Sequence, residues 1–108
     1  MTVTFDDLLD TMVDIVKKSK VRANEEKLYT VGQYVIAVEC IDNVCYSAYD
    51  IVIRKITVDN VETIAHILLA YWNEDSEFTL TKVNIHHFKG LLKFMEEYLP
   101  HLRTESNK

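Results

Sequence analysis

The sequence predicts an α+β protein: an N-terminal helix, a four-stranded antiparallel β-meander and a C-terminal amphipathic helix. Three observations predict it. A short phrase occurs twice, as Ile41-Asp42-Asn43-Val44 and Val58-Asp59-Asn60-Val61, and Asp and Asn tolerate the left-handed backbone of two-residue hairpin turns. The two phrases separate runs rich in β-branched and aromatic residues, 34–41, 46–56 and 64–72. Helical periodicity flanks those runs on both sides.

The N-terminal helix takes Thr4 as its cap. Its apolar positions Phe5, Leu8, Leu9, Met12, Val13, Ile15 and Val16 have helical spacing. Asp6 and Asp7 in the first turn and Lys17 and Lys18 in the last suit the helix dipole. Residues 1–18 are assigned to this helix and 19–27 to a basic linker. Residues 28–101 hold the sheet and last helix, and 102–108 a disordered tail, all as one domain.

Two-residue turns set the expected register: Tyr34 opposite Ile51 and Ile51 opposite Leu68, with Ile36, Tyr49 and Ala70 beside them. One face then carries Tyr34, Ile36, Val38, Cys40, Tyr49, Ile51, Ile53, Ile64, His66, Leu68 and Trp72. The other carries Val35, Ala37, Glu39, Tyr46, Asp50, Val52, Arg54, Ile67, Leu69 and Tyr71, too apolar for water and too polar for a dry core. A one-residue slip would exchange the faces of a strand. The middle strand, 44–58, is long enough to need a bend near 48–50. Residues 61–72 also carry a helical stripe with an Asp59–Glu62 capping pattern; pairing with the middle strand favours strand. A short fourth strand, 78–81, leads into a helix over 82–99. That helix turns Ile85, Phe88, Leu92, Met95 and Leu99 inward and stops at Pro100. The expected core is Tyr34, Ile36, Ile51, Leu68, Phe88 and Leu92.

Composition excludes several classes. The 108 residues are 48% hydrophobic and 27% charged, which suits a globule with its own core. Two glycines exclude Gly-rich phosphate loops. No apolar run approaches the ~20 residues of a membrane span, and the acidic first residues differ from a basic signal peptide. An intracellular protein is the expectation. The net charge is −5. Residues 17–27 hold five cations against two carboxylates, a local balance of +3 that leaves −8 on the rest.

Cys40 and Cys45 face each other in the expected first hairpin, and an intracellular setting leaves them as reduced thiols. A lone C-x4-C does not make a zinc site. His86 and His87 are adjacent, so on a helix they diverge; both are read as exposed and His66 as packed. No nucleophile elbow or carboxylate pair is present, so no enzyme and no cofactor are expected. Lys82, His86, Lys89 and Lys93 form one stripe of the last helix. Tyr46, Tyr71 and Arg54 on the mixed face, with Lys17, Lys18, Lys20 and Arg22 in the leader, are the residue types that hold single strands. Val52, Ile67, Leu69 and Tyr71 are the candidate dimer interface.

Gly32-Gln33-Tyr34-Val35 entering a strand, Tyr71-Trp72 ending one and Phe78-Thr79-Leu80 before the helix give residues 28–99 a topology-level likeness. The segment resembles the positive-cofactor-type transcriptional coactivators that bind single-stranded DNA as dimers. The resemblance implies a curved meander, a closing helix and a homodimer. That family carries cations along its strands and a Lys-Gly step before the helix, where this chain has few strand cations and Ser76-Glu77, so no DNA-contacting residues transfer. The expected function is a small non-enzymatic regulatory or accessory protein, or an inhibitor, working through protein contacts as a homodimer. Single-stranded nucleic-acid binding in transcription or replication is the alternative.

Overall fold

The computed structural model describes residues 4–42, 47–72, 77–85 and 87–106. Helix α1 (Phe5–Ser19) is followed by β1 (Glu26–Val31), β2 (Tyr34–Asp42), β3 (Ser47–Ile56), β4 (Val61–Trp72), β5 (Glu77–Ile85) and α2 (Phe88–Ser106). The strands form one antiparallel sheet in sequence order. Both helices lie on the same face of it, sharing one apolar cluster with the strands.

Helix α1 begins where the sequence places it. The Thr4 hydroxyl accepts from the Asp7 amide at 3.1 Å, and the Thr4 amide donates to the Asp7 carboxylate at 3.1 Å. This reciprocal box satisfies donors that the first turn leaves without partners. Lys20, left-handed at φ 52°, ends the helix. Met12, Ile15 and Val16 point into the core, and Leu8 borders it.

Five strands are present, not four. Residues 26–27 of the expected linker belong to β1, which pairs with β2 across Gly32-Gln33. Gly32 has φ 58° and Gln33 no positive φ, the pattern of a type II′ hairpin turn. The Glu-Lys start disguises β1, yet charged side chains are what edge strands carry. The 61–72 ambiguity resolves as strand. β5 is also longer than expected and claims Lys82.

The register differs from the expected one in an instructive way. Tyr34 lies opposite Lys55, and Val38 opposite Ile51. That four-residue offset is even, so the faces of β2 and β3 are those expected. In the second hairpin Thr57 and Asn60 close the turn through backbone bonds of 2.8 and 3.4 Å. Again the offset is even as far as Thr63 opposite Arg54, but the register then shifts, pairing Ile53 with Ala65. Ile64 is the extra residue of this bulge, and Ile64 and Ala65 are both buried. Beyond it β4 is inverted. Ile67 and Leu69, expected on the mixed face, are fully buried in the core, while His66 is exposed and Leu68 half-buried.

Helix α2 starts at Phe88, after His87 at φ 60°, and continues past Pro100 to Ser106, into the segment expected to be disordered. Its inward stripe is Leu91, Phe94, Met95 and Tyr98. Phe88 is 55% exposed and Leu92 half-buried, so of the described side chains expected inward only Met95 is fully buried. Rotating the helix brings Phe94 edge-on to Tyr34 at 5.0 Å between centroids and stacks it on Tyr98 at 5.3 Å. Aromatic burial of this kind outweighs the Phe88–Leu92 stripe. No helix among the described residues is long and apolar enough to cross a membrane.

Candidate functional site

With both helices on one side, the other face of the sheet has no covering layer among the described residues. Strand register arranges it in rows. One row runs Glu26, Glu39, Asp50, Leu68, Lys82. The next runs Leu28, Ala37, Val52, His66, Asn84, and the third Thr30, Val35, Arg54, Thr63. Val35, Val52, Leu68 and Ala70 are half-buried, while the small Ala37 and Ala48 are buried.

Three carboxylates thus stand directly opposite one another on neighbouring strands, an unfavourable arrangement in isolation. Asp50 is relieved by His66, whose Nε2 lies 2.5 Å from Asp50 Oδ1. Arg54 occupies the same strand two residues beyond Val52, on the far side of the apolar row. The face is therefore banded, with three carboxylates on one side of a largely apolar row and Arg54 on the other.

The helix side holds a second polar cluster. The Tyr98 hydroxyl donates to Asp14 Oδ2 at 2.8 Å, and Tyr29 donates to the Ile15 carbonyl at 3.4 Å. Lys18 Nζ lies 5.5 Å from the Tyr98 ring centroid and 3.8 Å from Asp14 Oδ2. Burial pushes the Tyr29 and Tyr98 phenols well above the ordinary tyrosine value; Asp14 reinforces the shift in both, and for Tyr98 the adjoining Tyr29 adds to it. Tyr34 is raised by burial and by the Glu97 carboxylate that faces it.

The expected binding residues are split between these regions. Arg54 is on the open face, and Lys82 joins it on β5. Lys17 and Lys18 are on α1, on the helix side, with Lys20 as its cap, and Arg22 follows in the connection to β1. Lys89 and Lys93 are exposed on α2, so Lys82 does not belong to their stripe. Of the dimer set, Val52 is on the open face, Ile67 and Leu69 are not, and Tyr71 is on β4. Tyr46, Cys45 and His86 lie outside the described residues. Cys40 is a buried free thiol opposite Tyr49. His87 pairs with Glu62 at 2.9 Å. Among the described residues no cluster of His, Cys, Asp or Glu is arranged to hold a metal ion. Sequence reasoning missed the carboxylate row because it depends on the unexpected β1 and on the β2–β3 register, and the Asp50–His66 pair because it depends on the bulge in β4.

The molecule is of the two-layer α+β class, a five-stranded meander backed by two helices. Comparison with family models, with curated proteins and with solved structures finds no match.

Proposed function

We propose that the protein is a small non-enzymatic binding module that pairs with a second copy through its open sheet face and acts as a regulatory or accessory factor by protein contact. The banding of that face is the observation that carries the reading. A two-fold axis along the Leu28–Ala37–Val52–His66 row lays the apolar row on itself. It also sets Asp50 over Arg54 of the second copy, and Arg54 over Asp50, so one patch is self-complementary as an isologous interface must be. Half-buried Val35, Val52 and Leu68 would complete their burial there.

The single-stranded nucleic-acid reading draws less support. Arg54 shares its face with Glu39 and Asp50, and the leader cations Lys17 and Lys18 belong to the helix side.

Sedimentation velocity of the wild-type chain at high micromolar concentration should give the mass of a dimer. Val52→Glu and Arg54→Asp should each give monomer with an unchanged circular dichroism spectrum. Reversing both charges, Asp50→Arg with Arg54→Asp, should retain part of the association that Arg54→Asp loses. A monomeric wild type would overturn the proposal. Salt-sensitive binding of a single-stranded oligonucleotide, with a slope of about 0.7 per neutralised phosphate, would replace it with the nucleic-acid reading.

A further inference from the structure

A cavity of about 240 Å³ runs along β1, lined by residues 27–31 of that strand, by Lys18 and Ser19 of α1 and by Tyr98 of α2. Five consecutive strand residues line it, as expected where a cavity follows the outer edge of a strand and not one face. Among the described residues β1 pairs with β2 alone. In a hairpin closed by two residues, Val31 and Tyr34 exchange hydrogen bonds across the strands, and every second pair does likewise. The Cys40 amide bonding the Glu25 carbonyl at 3.0 Å fits this phase. The N–H and C=O groups of Glu26, Leu28 and Thr30 therefore point outward. Leu28 is 63% exposed beside them.

We propose that this edge is a docking groove for an extended acidic peptide segment of another protein, which joins the sheet as a sixth strand beside β1. Main-chain pairing to Leu28 and Thr30 supplies the affinity of such strand addition, and the pockets for alternate side chains supply its selectivity. Side chains on one face of the added strand enter the cavity against Tyr29, Val31 and Tyr98; those on the other cover Leu28. The charge of the occupant follows from the groove. Lys27 Nζ meets the Lys20 carbonyl at 3.2 Å and Glu25 at 3.7 Å, two directions for a group with three donors. Lys18 lines the cavity with Lys27, and residues 17–27 together carry five cations against two carboxylates. A second copy offers no acidic strand to this edge, because the segment leading into its own β1 has the same positive balance. The opposite edge, β5, is bent by the register shift at Leu68/Leu69, a device that discourages pairing. The peptide site shares Leu28 with the dimer face but does not need the second copy, and would operate in a monomer.

The probe is an acetylated, fluorescein-labelled decapeptide alternating valine and glutamate, titrated against the full chain by anisotropy. Saturable binding is expected, weakened at least tenfold when lysine replaces glutamate in the peptide and at least tenfold by Lys27→Glu. Leu28→Pro, which removes an outward amide, should abolish it. Should that variant fail to fold, a peptide N-methylated at alternate residues in either phase serves instead, and one phase should fail to bind. Amide exchange should slow at Leu28 and Thr30. The Val52→Glu variant should bind as the wild type does, which separates this site from the dimer face. Failure of the acidic peptide to bind, equal binding of the lysine peptide, loss in Val52→Glu, or protection at β5 instead of β1 would each overturn the assignment.

Discussion

Tyr29, Tyr34 and Tyr98 keep their phenolic protons more firmly than a tyrosine in water, first because burial penalises the phenolate. A folded-state pKa above the unfolded one makes its contribution in full below the unfolded value and loses it as pH rises. That unfolded value is about 10. Stability should thus be flat near neutrality and fall above about pH 10, with these three tyrosines ionising only as the chain unfolds. Absorbance of phenolate followed beside circular dichroism checks this; complete tyrosine titration with the fold intact would contradict it. Replacing Tyr98 by Phe should cost about 1 kcal/mol at neutral pH, through the lost bond to Asp14, and soften the alkaline decline. One residue step separates two other roles that the sequence exchanged. His66, expected packed, is exposed, and Ile67, expected at an interface, is core. Ile67→Ala should cost about 2–5 kcal/mol, and Val52→Ala under about 1 kcal/mol, in denaturant melts.

Element boundaries were legible where a local signal marks them. Thr4 and Asp7 mark the start of α1, and Asp59-Asn60 marks a turn. The meander was legible too, and so were the faces of β2 and β3, because the real turns differ from two-residue ones by even numbers. A bulge has no sequence signature in Thr63-Ile64-Ala65-His66, and it alone inverted β4. The phase of α2 was likewise hidden, since two apolar stripes compete and only tertiary contact with Tyr34 chooses. Gly90 tests how tightly that choice is fixed. A Cβ there would lie 3.0 Å from Ile64 Cγ2, the bulge residue. Gly90→Ala should therefore destabilise by about 1–2 kcal/mol, overpacking exceeding the ~1 kcal/mol gain in helix propensity. In an Ile64→Ala background the same substitution should stabilise. A sign that does not reverse would show that α2 shifts freely over the bulge.

For the whole molecule, the α+β class and the order helix, meander, helix could be read from periodicity, but the number of strands could not. Placement of both helices on one face was beyond reach, because it depends on where the last strand leaves the sheet. That placement decides the candidate site: it leaves the banded face open and puts Lys17 and Lys18 on the other side, away from Arg54.

The hydrogen bond from Tyr98 to Asp14 joins the first element to the last across the full meander. Every strand pairs with its neighbour in sequence, so the sheet can zip up hairpin by hairpin at small loop-closure cost. The clasp between α1 and α2 closes the largest loop and is expected after the rate-limiting barrier. Tyr98→Phe should then speed unfolding by nearly its full loss of stability and leave the refolding rate almost unchanged, a φ-value near zero. Substitution in the β2–β3 hairpin, such as Ile51→Val, should slow refolding. Stopped-flow chevrons would separate the two, and slowed refolding in Tyr98→Phe would mean that the helices meet before the sheet is built.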